Sequence, residues 1–234
     1  MRTSSAGTRM SPREEVSYLI TEEKLVKFIH SLEPDRSPAL EKIRREASAA
    51  AVPIIRDETA ALLKCFIRMK KPKRILEIGT AVGYSALTMA ECMPSDGALW
   101  TIENYPERIM RARRNFTETG YGSRIHLLEG DAGGWIRSYA EQGEKFDLIF
   151  LDAAKAQYPL WLPELLRLLP AGGVLLSDNV LQGGSIAESR FQIERRERTI
   201  HSRMREYLFR LKHEESLESA VIPIGDGLSV SVKK

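Results

Sequence analysis

Asp152, Asp178 and Asn179 carry the most specific chemistry in this sequence. Each follows a short apolar run, FDLIFL before Asp152 and VLLS before the other two. Two carboxylates and an amide form a hard, all-oxygen donor set of the kind that Mg2+ prefers, with positions left for water and substrate. Zinc is not indicated, because the chain has no Cys/His cluster. Lys155 stands in LDAAK, three residues beyond Asp152. It reads either as a surface lysine opening the next helix or, given its distance from Asp152, as a site residue. Any one of the Asp and Asn residues is equally well explained as a helix cap or turn former. Their joint occurrence with a cofactor-type turn is not.

That turn lies in residues 74–85, RILEIGTAVGYS. Ile75, Leu76 and Ile78 read as a buried parallel strand, which favours a continuous apolar run. Gly79-Thr80-Ala81-Val82-Gly83 then lets the backbone turn tightly and approach a ligand, and a helix opens at Tyr84-Ser85 with free N–H groups facing the turn. The glycines are four apart, so the dinucleotide pattern G-x-G-x-x-G is not met. Glu77, just before the turn, would repel a pyrophosphate and welcome a cationic amino-acid cofactor. E-x-G-x-x-x-G after a first strand resembles motif I of the class I S-adenosylmethionine (SAM) methyltransferases. Glu103 closes the next apolar run and is placed to accept hydrogen bonds from ribose hydroxyls. Asp131, in Glu129-Gly130-Asp131-Ala132, can cap a helix or hold an adenine amino group.

These residues must be brought together by a scaffold. From Arg74 onward apolar runs alternate with helical patterns: strands at 74–78, 98–102, 124–128, 146–152 and 174–176, and helices over about 84–93, 106–119 and 155–169. That alternation is the signature of a doubly wound parallel sheet, whose ligands bind outside the carboxyl ends of the strands. Asp152, Asp178 and Asn179 would then converge beside the glycine turn. Ahead of the sheet, residues 13–70 read as a helical cover, with helices over 13–32, 38–51 and 57–69; Ser37 is a capping residue and Pro38 a first-turn residue. After the fifth strand, residues 180–188 form a glycine-containing loop able to cover the site. Residues 189–216 read as one long basic helix, followed by a hairpin of 220–224 and 228–232 around Gly225-Asp226-Gly227.

EIGTAVGYS, Glu103, LDAAK, SDNVL and IPIGDGLSVS together resemble the metal-dependent O-methyltransferase family that includes catechol and caffeoyl-coenzyme A O-methyltransferases. The resemblance covers nearly all of the chain after its N-terminal tail. It implies a Rossmann-like α/β fold with a seven-stranded, mostly parallel sheet, an antiparallel C-terminal hairpin strand and helices on both faces. Carried over motif by motif, it places SAM contacts on Ile55, Glu77, Gly79, Thr80, Ser85, Glu103, Gly130, Asp131, Ala132 and Asp152. Mg2+ would fall to Asp152, Asp178 and Asn179, and the catalytic roles to Lys155 and Asp152. It also implies a homodimer, with the N-terminal helices as candidate interface.

Within this family the VPI link before the cofactor turn, the short loop after DNVL and the arginine-rich helix resemble the bacterial tRNA 5-hydroxyuridine methyltransferases. That implies methylation of 5-hydroxyuridine at the anticodon wobble position, with Arg190, Arg195, Arg196, Arg198, Arg203 and Arg205 offering phosphate contacts to the tRNA anticodon loop. The alternative is a small-molecule O-methyltransferase acting on catechols or caffeoyl-type phenols. Both substrate classes present a hydroxyl beside a second oxygen, so the same metal site serves either. Glu194, Glu197 and Glu206 interleave with the arginines, as they would in a solvated, salt-bridged helix.

At 234 residues the chain suits one α/β domain over residues 13–234, behind a disordered tail of 1–12. No apolar run approaches the roughly 20 residues that span a bilayer, and the polar start does not resemble a secretory signal. A cytoplasmic location is expected. Cys65 and Cys92 read as reduced core or near-core thiols, and His30 as a structural or solvated side chain.

Overall fold

The strands from Arg74 to Ser177 form because each is a short apolar run with helices to cover both of its faces. The computed structural model describes residues 22–234. The expected tail over 1–12 and the first part of the expected 13–32 helix, with Val16, Leu19 and Ile20, lie outside the described residues. The elements run α1 (Glu23–Ser31), α2 (Pro38–Ala49), α3 (Asp57–Lys70), β1 (Arg74–Ile78), α4 (Tyr84–Ala90), β2 (Ala98–Glu103), α5 (Pro106–Glu118), β3 (Ile125–Glu129), α6 (Ala132–Glu141) and β4 (Leu148–Leu151). A 3-10 turn (Lys155–Gln157), α7 (Tyr158–Leu168), β5 (Val174–Ser177), a second 3-10 segment (Gln182–Ala187), α8 (Arg198–His213), β6 (Leu217–Ile222) and β7 (Leu228–Lys233) complete the chain.

The seven strands make one sheet in the order β3-β2-β1-β4-β5-β7-β6. The first five are parallel, and β7 enters antiparallel between β5 and β6. Strand order reverses between β1 and β4, so the crevice at a topological switch point opens at their carboxyl ends. Successive side chains point to opposite faces. Ile75, Leu148 and Phe150 pack with Leu40, Leu63, Ile67, Leu87 and Phe116 on one side of the sheet. Leu76, Ile78, Ile149 and Leu151 pack with Ile136, Leu162, Leu165, Met204 and Tyr207 on the other.

Three expectations need correction. The basic segment is helical only from Arg198; residues 189–197 form turns instead, because Ile193 is buried there and its carbonyl accepts from Arg198 Nε at 3.0 Å. Arg190, Arg195 and Arg196 therefore lie off the helix. The hairpin connection is five residues long, 223–227, since Gly225 and Gly227 both adopt positive φ (56° and 91°) around Asp226. Cys65 is exposed on α3 rather than packed in the core, while Cys92 is partly buried. In the N-terminal cover, α2 and α3 bury apolar residues against the sheet, but α1 buries none. Among the described residues no helix is long and apolar enough to cross a membrane.

Candidate active site

The glycine turn is shaped by the strand beside it. Gly79 takes φ 107°, and a Cβ there would lie 2.0 Å from the carbonyl oxygen of Asp152. Only glycine lets the end of β1 approach the end of β4 this closely. The Gly79 and Thr80 N–H groups both donate to the Ile102 carbonyl at 3.1 Å, which ties the turn to β2. Glu103, at the end of β2, accepts from the Ala81 N–H at 2.8 Å and from the N–H groups of Asn104 and Tyr105 at 3.0 and 3.1 Å. Its carboxylate thus fixes the turn while keeping lone-pair capacity for a ligand. Asp131 caps α6, accepting from Gly134 N–H at 2.8 Å.

A cleft of about 1120 Å3 opens over these strand ends. It is lined by Ile55, Gly79, Thr80, Ser85, Glu103, Gly130, Asp131, Ala132, Asp152, Lys155, Asp178 and Asn179, all of them residues singled out from sequence. Glu77 is not in the lining. It is fully buried beneath the turn, where Thr101 donates to Oε2 and the Ser85 hydroxyl lies beside the carboxyl. Burial raises its carboxyl to about 8 against the opposing effect of the Ser85 and Thr101 hydroxyls, so it is largely protonated at neutral pH. The six arginines proposed for RNA do not line the cleft either. Several of them hold backbone carbonyls instead: Arg203 donates to Ala156 at 2.8 Å, Arg205 to Ile186 at 3.0 Å, and Arg198 to Ile193.

At the β4 and β5 ends the polar groups are dense. Lys155 Nζ donates to Asp152 Oδ1 at 2.7 Å and to the Tyr158 hydroxyl at 3.2 Å. Tyr158 is fully buried; its oxygen accepts from Ala153 N–H at 3.1 Å and faces the Leu151 and Asp178 carbonyls at 3.1 and 3.4 Å. It braces the two strand ends against each other. Burial and the nearby Asp152 charge hold its hydroxyl well above the ordinary tyrosine range. Asp178 is 2% exposed; burial first, and then Asp152, push its carboxyl up to about 7, although Asn179 N–H and Lys155 oppose the shift. A cation placed between Asp152 and Asp178 would relieve both effects. Among the described residues no three His, Cys, Asp or Glu side chains form a cluster able to hold a metal. The set here is two carboxylates and an amide, and its oxygen-only chemistry fits a hard divalent ion.

Sequence reading missed several cleft residues. Arg56, Tyr84, Arg108, Arg137, Trp161 and Asp226 also line it. Trp161 comes from α7, and its Nε1 lies 3.1 Å from where a Gly133 Cβ would be. No local motif marks it. The Asp226 signal was present, but D-G reads as a turn whatever the side chain does.

Comparison with known proteins agrees with this geometry. The family model for O-methyltransferases matches residues 30–234. A Mycobacterium marinum protein, named provisionally as an O-methyltransferase, is 31% identical over 195 residues, covering 83% of this chain and 84% of its own. A Staphylococcus aureus structure, assigned provisionally as a caffeoyl-CoA O-methyltransferase, superposes with a TM-score of 0.79 at 29% identity, covering 91% of this chain and 98% of that one. The O-methyltransferase TomG from Streptomyces achromogenes, involved in tomaymycin synthesis and solved in complex with SAM, gives 0.79 at 25% identity, covering 90% and 96%. The chain belongs to the O-methyltransferase family.

Proposed function

We propose that this protein transfers a methyl group from SAM to a hydroxyl that has a second oxygen beside it, in a reaction dependent on Mg2+. The observation that carries this reading is the convergence of Asp152, Asp178 and Asn179 on the cleft wall beside the Gly79 turn. The SAM complex of TomG supports the choice of cofactor. When bound, SAM supplies an electrophilic methyl group, and a divalent cation lowers the pKa of a hydroxyl held next to it.

The chain's own residues do the rest. Glu103 offers its remaining lone-pair site, on Oε2, to a ribose hydroxyl, and Gly130–Ala132 form the wall where a base would lie. Asp152, Asp178 and Asn179 present the oxygens that would hold Mg2+. Lys155 Nζ, anchored by Asp152 and Tyr158, would steady negative charge on the substrate oxygen as its proton passes to solvent water. Glu103, Gly130, Asp131 and Ala132 would hold SAM so that its methyl group faces the acceptor oxygen, the S–C electron pair staying on sulfur. Much of the acceleration comes from holding donor and acceptor in line.

We favour a small catechol-type phenol as substrate, because the α8 guanidinium groups of Arg198, Arg203 and Arg205 already hold backbone carbonyls. The second reading is 5-hydroxyuridine at the tRNA wobble position. It is supported by the sequence motifs and by the exposed Arg190, Arg195 and Arg196. Parallel assays of S-adenosylhomocysteine release with a catechol and with tRNA carrying 5-hydroxyuridine separate the two. Turnover on tRNA alone would remove the phenol reading. We also propose a homodimer through α1 and its C-terminal cap, where Leu25, Phe28 and Leu32 are 49%, 59% and 66% exposed. Phe28→Glu should then shift the protein toward monomer in light scattering, and an unchanged mass would refute that interface.

A further inference from the structure

An asparagine can serve a cation only through its oxygen, yet its two amide ends have nearly the same shape. Asn179 therefore needs something to set which end faces Asp152 and Asp178. Its Nδ2 donates to Asp226 Oδ2 at 3.4 Å, at the long end of hydrogen-bond distances. A carboxylate accepts and does not donate, so Asp226 can receive only the NH2 end. The amide oxygen is then directed to the other side.

Asp226 is itself firmly held. Arg56, at the start of α3, grips it through both oxygens, Nη2 to Oδ1 at 2.7 Å and Nε to Oδ2 at 3.1 Å. This two-point fork fixes the plane of the carboxylate as a single ammonium contact would not. The backbone of the turn is fastened to the segment that follows Asn179. Val180 N–H donates to the Gly227 carbonyl at 2.9 Å and Leu181 N–H to the Asp226 carbonyl at 3.0 Å. A Cβ on Gly227 would lie 2.4 Å from Leu181 Cβ, so the contact requires glycine there. Arg56, Asp226 and Asn179 all border the same cleft.

We propose that Asp226, clamped by Arg56, is a positioning residue that turns the Asn179 amide so that its oxygen joins Asp152 and Asp178. This rests on the divalent-cation reading above. Asp226 does not touch substrate or cofactor in this role; it acts through Asn179, as partners behind metal ligands commonly do.

The test is Mn2+ binding to the full-length protein by isothermal titration, in a double-mutant cycle of Asp226→Ala with Asn179→Asp. A carboxylate at position 179 has no wrong end, so it should not need an orienting partner. In the parent background Asp226→Ala should weaken Mn2+ binding about 10- to 100-fold. In the Asn179→Asp background the same change should weaken binding far less, by no more than the loss of one nearby negative charge accounts for. Equal weakening in both backgrounds would overturn the proposal and reduce Asp226 to a structural or long-range charge effect. If Asp226→Ala fails to fold, as judged by metal-free thermal melting, Asp226→Asn takes its place in the cycle. Its oxygen can still accept but its own amide can flip, so a smaller loss confined to the parent background is expected. A parent protein that binds no Mn2+ would overturn the cation reading as well, and that outcome is distinct from a failed cycle.

Discussion

Residues at the strand ends show how the fold sets chemistry. Lys155 is the one cation that reaches Asp152 and Tyr158 together among the described contacts. Lys155→Met should lower kcat by about 10²- to 10⁴-fold with little change in SAM affinity, read by steady-state kinetics and SAM titration. Glu77 has a different task. Its folded-state pKa of about 8 lies above the ordinary 4.5, so folding favours the protonated form. That contribution is fully present below pH 4.5 and is lost as pH rises through about 8. Glu77→Gln removes the dependence. Across that window the variant should gain on the parent by about 3–5 kcal/mol in urea unfolding, at 1.36 kcal/mol per unit. A difference that stays flat with pH would show that Glu77 is charged in the folded protein.

At the scale of elements, the glycine turn is the narrowest constraint. Gly79→Ala must place a Cβ against the Asp152 carbonyl at φ 107°, and should cost about 2–5 kcal/mol in chemical denaturation. Much of this level was legible beforehand. The parallel strands read clearly because burial on both faces demands continuous apolar runs such as FDLIFL, and the strand ends then located Asp152, Asp178 and Asn179. The start of α8 did not read, because RFQIERRERTIH is helix-compatible throughout. What halts the helix at Arg198 is tertiary, the burial of Ile193. The role of Asp226 was hidden for a related reason: its Arg56 partner lies 170 positions away, beyond any local pattern. Glu77 was placed in the cofactor site by its position before the turn, whereas strand alternation turns it inward with Ile75.

For the whole molecule, the arginines of 190–212 divide between holding the fold and standing on the surface. Eight basic residues over 190–212 suggested a phosphate surface. In the fold Arg203 holds a carbonyl of the first 3-10 turn, which carries Lys155, while Arg205 and Arg210 hold carbonyls of the second 3-10 segment and of α7. Arg203→Ala should therefore loosen the Lys155 turn and lower activity on a small phenol several-fold. Arg195→Glu should leave phenol turnover unchanged, and should reduce turnover on tRNA if RNA is a substrate.

The central claim is a cation-dependent methyl transfer at Asp152, Asp178 and Asn179. It is tested most directly by following S-adenosylhomocysteine formation from SAM and a catechol after EDTA treatment, with and without added Mg2+, for the parent and for Asp178→Ala. The account predicts that turnover vanishes with EDTA and returns with Mg2+ in the parent, and that Asp178→Ala stays about 10³-fold or more below it at any Mg2+ concentration. Turnover of either protein that is indifferent to EDTA would contradict it.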